Sequence, residues 1–377
     1  MMDGGIRFDA AAQHWSGTCC VRGVQTGVLR PSCELLHKTL FKIMFRYFGS
    51  KASSASAVAE IALQGQDFVS VADAFGGLGN IGAEMKRRGC KVTTCDLLAF
   101  PNAFQHARVV CQRRPSFTAV KQELGVESTE QVADALNNSS RRSHWFEREY
   151  AEKRMFFTPE NARKIGATWS LLAHWHKSGL LTESEKKFAV ASFLNCVDSR
   201  ANTAGTYYAF LKKFHRKAVQ PFKFDWLDIT HGKYAGVALH GDALECLKGK
   251  SFDLLYLDPP YNSRDYSRYY HLPESLLHLR HTEIDANSQA GQPKRRATAG
   301  AAIRRAMGLP YIQKLVESIE WKRLVLQYAD GAHVPIAELT RTLKTYGECR
   351  LHTVGALCYT ATTSARKQTQ HVFVIDR

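Results

Sequence analysis

The chain reads as α/β: a mostly parallel sheet closed by an antiparallel C-terminal hairpin and interrupted by a long helical insert. Three observations predict this. A strand-like run, a glycine loop, a helix and a second strand-like run follow one another between residues 68 and 96, as in a βαβ unit. A nearly continuous apolar run recurs at Phe252-Asp253-Leu254-Leu255-Tyr256-Leu257, the signature of a strand buried on both faces. Between them lies a stretch of helix-period sequence rich in charge.

Taken in order, the core pattern opens at Phe68-Val69-Ser70-Val71-Ala72 and passes through the turn-rich Asp73-Ala74-Phe75-Gly76-Gly77-Leu78-Gly79-Asn80. Ile81 to Arg88 then reads as a helix stopped by Gly89. Cys90 to Cys95 is the second β-like run and ends at Asp96. In the middle, Glu147 to Ile165 and Ala167 to Leu181 read as helices. Beyond the apolar strand, Arg323 to Tyr328 reads as a strand and Ile336 to Tyr346 as a helix closed by Gly347. Val354 to Tyr359 and Val372 to Ile375 read as the terminal hairpin. The two α/β segments need each other to complete a sheet. The expected organisation is therefore a poorly ordered extension over 1–43, a catalytic α/β domain from 44–101 and 236–377, and an insert over 102–235. Met44, just ahead of the first motif, marks an expected alternative start.

Composition narrows the classes. The 377 residues are 45% hydrophobic and 23% charged, which excludes a wholly disordered or collagen-like chain. Lys and Arg exceed Asp and Glu by 51 to 35, a net charge of +16, so a polyanionic partner is indicated. Basic clusters in the insert (Arg141-Arg142, Lys153-Arg154, Arg163-Lys164, Lys212-Lys213, Arg216-Lys217) alternate with Trp145, Tyr150, Tyr207, Tyr208, Phe210 and Phe214. A charge cluster is commonly a solvated helix face; the interleaving with aromatics points to nucleic acid. No secretory signal, apolar spanning run, Cys-x-x-Cys or His-Glu-x-x-His is present. The ten cysteines therefore read as reduced thiols, no metal is expected, and the expected compartment is the cytoplasm.

Two motifs carry chemistry. Gly77-Leu78-Gly79-Asn80-Ile81-Gly82 is a G-x-G-x-x-G between strand and helix. Its glycines permit a tight turn and close approach of a ligand to the backbone, and Asp96 at the next strand end can accept both hydroxyls of a ribose. A plain turn would explain the glycines alone; with Asp96 they indicate an adenosine-containing cofactor. Asp258-Pro259-Pro260-Tyr261 follows the buried strand. Its carboxylate and proline-stiffened, donor-poor backbone suit an exocyclic amino group, whose hydrogens need acceptors and whose lone pair must be freed from the ring. Tyr261 offers a flat face to a flipped base.

With these motifs the chain resembles the Dam-like, alpha-group adenine-specific DNA methyltransferases. Asp258-Pro259-Pro260-Tyr261 matches their catalytic tetrapeptide and Asp73 to Gly79 their cofactor loop. Arg46-Tyr47-Phe48-Gly49-Ser50-Lys51 looks like their first cofactor segment. The order of cofactor motifs, insert and catalytic motif is also theirs. The resemblance implies a Rossmann-like methyltransferase fold with seven strands, S-adenosylmethionine as cofactor, and methyl transfer to the N6 amino group of adenine in double-stranded DNA. It implies cofactor contacts from Tyr47, Lys51, Asp73, Phe75, Gly76, Gly77, Gly79, Asp96, Leu97, Asp242, Ala243 and Asp258, and a catalytic role for Asp258, Pro259, Pro260 and Tyr261. It further implies a recognition role for the insert and a restriction-modification or epigenetic setting with a nuclease encoded nearby; a monomer is expected. Gln327-Tyr328-Ala329 departs from the Ser-Tyr-Asn common in relatives. The basic stretch from Lys294 to Arg305, rich in Gly and Ala, reads as a mobile loop near the DNA backbone.

Other readings differ in what they require. A nicotinamide dehydrogenase would share the glycine loop but has no use for Asp-Pro-Pro-Tyr. An RNA base amino-methyltransferase could use a related tetrapeptide, and a non-catalytic homologue could bind nucleic acid without turnover. Cytosine C5 chemistry needs a cysteine nucleophile, usually after proline, and no Pro-Cys occurs.

Overall fold

The computed structural model describes residues 45–260, 265–294, 298–358 and 366–377. The extension expected over 1–43, together with Tyr261, Arg295 and Arg296, lies outside the described residues. Seven strands form one sheet: β1 (Ser70–Asp73), β2 (Lys91–Asp96), β3 (Val237–His240), β4 (Ser251–Leu257), β5 (Glu320–Ala329), β6 (Glu348–Cys358) and β7 (Arg366–Asp376), in the order β3-β2-β1-β4-β5-β7-β6. The first five are parallel. β7 runs antiparallel between β5 and β6, completing the terminal hairpin. This is the Rossmann-like α/β fold expected.

The apolar runs alternate between the two faces. Val71, Leu254, Tyr256 and Val325 pack with helix α1 (Ala55–Leu63) and helix α2 (Asn80–Arg87) on one side. Ala72, Leu255, Leu257, Leu324 and Leu326 meet a second core on the other side. With both faces covered, nearly every position of β4 and β5 has an apolar environment, which is why their sequences lack strict alternation.

Strand order reverses between β1 and β4: β2 and β3 extend one way from β1, β5 the other way from β4. At such a switch point the connections leave in opposite directions and open a crevice beyond the carboxyl ends of the strands. Val71 pairs with Leu254 across the junction.

β3 was not anticipated. It is four residues long and only partly buried, with Val237 43% exposed; an edge strand of this kind carries too little apolar pattern to be seen. The helices expected over Glu147–Ile165 and Ala167–Leu181 are also corrected. The chain breaks at 153–158, and one long helix runs over Pro159–Lys177. Thr158 caps it, accepting from the Asn161 N–H at 3.2 Å, and Pro159 starts it where no N–H is needed.

Helix α3 (Ala99–Gln105) continues as a wider helical turn over His106–Val110 and packs beside β3, where the Gly236 N–H reaches the Val109 carbonyl at 3.1 Å. The insert has a large aromatic core containing Phe146, Tyr150, Phe156, Trp169, Trp175, Phe188 and Phe193. That same core includes Phe45, Leu98, Phe100, Tyr270 and Leu276 from the flanking α/β segments. The insert is thus cored jointly with the walls of the crevice. No described helix is long and apolar enough to cross a membrane.

Candidate active site

Four neighbouring strands each deliver a carboxylate at their carboxyl ends. Across the sheet in spatial order these are Asp242 after β3, Asp96 at the end of β2, Asp73 at the end of β1 and Asp258 after β4. All four line one cavity, open at its mouth. Lys51 is among its walls, and its ammonium pairs with the Asp258 carboxylate and donates to the Gly49 carbonyl at 3.1 Å.

The floor is the glycine loop. Gly77 and Gly79 adopt positive φ of 49° and 73°. A Cβ at Gly76 would sit 2.7 Å from the Gln105 amide, and one at Gly77 3.3 Å from the Tyr47 ring. The loop is held between the next strand and helix: the Gly76 N–H donates to the Cys95 carbonyl at 2.8 Å, and the Gln105 amide to the Gly77 carbonyl at 2.9 Å. Asp96 accepts from the Gly77 and Leu98 N–H groups, both at 2.9 Å. Gly79 shapes the turn against Gln105 and does not line the cavity.

The segment from Phe45 to Lys51 forms a side wall. Phe45 is buried, and Arg46 reaches Asp198 at 3.1 Å and the carbonyls of Ala201 and Thr203. Tyr47 stacks on Tyr270 with ring centroids 4.9 Å apart. The Phe48 N–H donates to the Tyr270 hydroxyl at 2.5 Å.

Burial of carboxylates, and their closeness to one another, raises their pKa values. Burial, then the charges of Asp258 and Asp96, push the Asp73 carboxyl up to about 7; nearby backbone N–H groups of Phe75 and Gly82 offset part of this. Neither Asp73 oxygen has a partner at bonding distance. Burial pushes Asp96 up to about 6 against its two backbone donors. Burial also raises Asp258, while Lys51 pulls it back down. The second Asp258 oxygen is buried and without a partner. The cavity is thus a cation-seeking site with an acceptor left open.

Of the residues expected from the sequence, Tyr47, Lys51, Asp73, Phe75, Gly76, Gly77, Asp96, Leu97, Asp242, Ala243, Asp258, Pro259 and Pro260 all meet in this cavity. Sequence reasoning missed Tyr266, Tyr311 and a roof helix. The Tyr311 hydroxyl donates to Asp242 at 2.5 Å, while Asp242 also caps the helix Ala243–Leu247 through the Leu244 N–H. The roof is the helix Thr298–Ala306, whose Ala302, Ile303 and Ala306 are buried against the cavity. The mobile loop expected from Lys294 to Arg305 is corrected accordingly for 298–305. The 302, 303, 306 spacing is helical, and small residues permit close approach to the pocket.

The insert's basic and aromatic residues divide. Tyr150, Tyr207 and Arg154 are buried, and Arg154 pairs with Glu149 at 2.8 Å. Arg142 pairs with Glu147 and Lys153 with Glu149. Tyr208 is 47% exposed, and Lys212, Lys213, Arg216 and Lys217 are exposed.

Comparison with known proteins adds two findings. Residues 47–323 match the family model of the D12 class N6 adenine-specific DNA methyltransferases. The chain is 25% identical over 343 residues to the Type II methyltransferase M.FokI of Planomicrobium okeanokoites, covering 88% of this chain and 52% of that protein. It is 25% identical over 276 residues to the modification methylase StsI of Streptococcus sanguinis (73% and 42%), and 26% identical over 196 residues to the Type II methyltransferase M.NlaIII of Neisseria lactamica (52% and 58%). The chain spans about half the length of the curated relatives it matches.

Proposed function

The chain belongs to the D12 class N6 adenine-specific DNA methyltransferase family, and from that premise we propose that it methylates the N6 amino group of adenine in double-stranded DNA with S-adenosylmethionine as donor. The observation that carries this reading is the Asp258 carboxylate, steadied on one oxygen by Lys51 and open on the other, in the same cavity as the glycine loop and Asp96.

The pocket suits this cofactor. A buried, unpartnered Asp73 among two further carboxylates calls for positive charge, and S-adenosylmethionine carries both a sulfonium and an ammonium. Asp96 would hold the ribose hydroxyls and Asp242, oriented by Tyr311, the adenine end. Tyr47, Phe75 and Leu97 would contribute the apolar and aromatic walls. When bound, the cofactor supplies an electrophilic methyl carbon.

The protein's own groups supply the rest. The target base must leave the duplex, at a cost of a few kcal/mol. Tyr261 would stack on it and return about 1–3 kcal/mol. Asp258 and the Pro259 carbonyl accept the two amino hydrogens, which draws the nitrogen toward tetrahedral geometry and frees its lone pair. Lys51 favours the ionised form of Asp258 against burial. Positioning in a crevice sheltered from water then supplies much of the acceleration. Transfer is direct, without a covalent enzyme intermediate. The insert over 102–235 reads the target site, and the setting is cytoplasmic restriction-modification, with a nuclease of matching specificity as the implied partner.

The test is single-turnover transfer of labelled methyl groups to duplex DNA, followed by digestion to nucleosides. Label on N6-methyladenine is expected; label on cytosine, or transfer to RNA alone, would refute the reading.

A further inference from the structure

Between Asp198 and Asp225 the chain has six lysines and arginines and no acid: Arg200, Lys212, Lys213, Arg216, Lys217 and Lys223. Arg142, Arg148, Lys153 and Arg154, earlier in the insert, are instead paired with Glu147 or Glu149. Lys212, Lys213, Arg216, Lys217 and Lys223 are exposed, and none makes an ion pair among the described residues. Leaving like charges together costs stability in the protein alone, so their clustering favours a polyanion as occupant.

The segment is tied to the active site at two points. At its start, Arg46 donates to the carbonyls of Ala201 and Thr203 and pairs with Asp198, joining it to the Tyr47–Lys51 wall. Further on, the Tyr207 N–H donates to the Tyr269 carbonyl at 2.7 Å, the His271 ring meets the Tyr207 carbonyl at 2.9 Å, and the Tyr207 hydroxyl donates to Asp198 at 3.1 Å. Tyr269 lies one helical turn from Tyr266, which lines the cavity. At the junction the exposed Tyr208 ring packs edge-on against Tyr269 at 5.2 Å and carries the Arg268 guanidinium at 5.3 Å.

Resting on the DNA-methylating reading above, we infer that the acid-free segment from Arg200 to Lys223 is the principal contact to the DNA phosphate backbone, with Lys212, Lys213, Arg216 and Lys217 as its phosphate ligands. Arg46 and Tyr207 make it one rigid unit with the cofactor wall and with the helix following the catalytic tetrapeptide. A duplex held there is presented at the cavity mouth. Because such contacts go to phosphates, the segment sets affinity and orientation and leaves the choice of target sequence to other side chains.

The experiment compares the full chain with the variant Lys212→Gln, Lys213→Gln, Arg216→Gln, Lys217→Gln, using a mixed-sequence duplex oligonucleotide at several salt concentrations. A control carries Lys248→Gln and Lys250→Gln, beside the amino end of β4 and so at the opposite edge of the sheet. Wild type and control should share a steep slope of log affinity against log salt. The fourfold variant should lose about 0.9 of slope for each phosphate contact removed, with cofactor affinity by calorimetry unchanged. Equal slopes for variant and wild type would overturn the inference while leaving the methylation reading intact. A wild-type protein that methylates no DNA would instead overturn the reading on which it rests.

Discussion

Replacing Asp73 by Asn should stabilise the ligand-free protein at alkaline pH while weakening its hold on the cofactor. Asp73 is 1% exposed, its oxygens lack partners, and its carboxyl is pushed from an ordinary 3.8 to about 7. Between these values the folded state binds a proton that the unfolded state has lost, so stability falls as pH rises through the window. The full displacement corresponds to about 4 kcal/mol at the limit, all of it lost above pH 7. Asn carries no charge and escapes the loss. Urea unfolding of both proteins, without ligand, should show the variant ahead by a few kcal/mol at pH 8 and the two nearly equal near pH 4. The order should reverse when S-adenosylmethionine is added at pH 8, because only the ionised Asp73 meets the cofactor's positive charge. For the same reason wild-type cofactor affinity should rise from pH 6 to pH 8 as the carboxyl loses its proton. Parallel stability-pH curves for variant and wild type would show that Asp73 is not strained by its neighbours, and the argument for a cation-seeking pocket would fail with it.

The remaining expectations follow from single contacts. Asp258→Ala should abolish methyl transfer while leaving DNA binding by fluorescence anisotropy intact, since the proposed mechanism sets the acid against the reacting nitrogen and not the phosphates. Tyr311→Phe removes one of two bonds to Asp242 and should weaken cofactor binding by about 1 kcal/mol, read by calorimetry, with no change in melting temperature. Arg46→Ala leaves Asp198, 1% exposed, without its cationic partner and should cost about 3 kcal/mol of stability in urea unfolding. Tyr261→Ala should raise the KM for duplex DNA, whereas Tyr261→Phe keeps the ring face and should be mild.

The parts of this molecule legible in the sequence are those where local chemistry and fold agree. The strand-loop-helix around Gly77 and the apolar run before Asp258 announce themselves because a buried parallel strand tolerates few polar residues and a tight loop few side chains. What was not legible depends on distant partners. That Asp242, Asp96, Asp73 and Asp258 stand on adjacent strands is a property of strand order, which no local pattern records. β3 is too short and exposed to carry a period. Tyr311 was invisible because one tyrosine on a helix gives no hint that an aspartate 69 residues earlier lies beneath it. The break before Pro159 was, by contrast, present in the letters: Thr158-Pro159 is a helix start, outweighed by apolar periodicity on both sides. Arg154 and Tyr150 misled for a related reason, because a buried cation paired with Glu149 has the same sequence as a surface one.

The junction of β1 and β4 has a consequence for how the protein is made. Val71 and Leu254 sit side by side at the centre of the sheet, yet the whole insert is synthesised between them. Closing a flexible loop of that length costs roughly 5 kcal/mol before any contact returns it. The shared aromatic core, which draws Phe45 and Phe100 onto the insert helices, shortens that search by bringing the early strands to the insert before β4 emerges. Chain assembly should therefore proceed from insert to sheet, and the crevice, whose later walls are the Asp258 loop after β4 and the helix Thr298–Ala306, should be the final feature to form. Core substitutions such as Trp175→Ala, remote from the reacting groups, should then slow refolding of the catalytic sheet itself, a kinetic debt carried by the largest non-catalytic part of the chain.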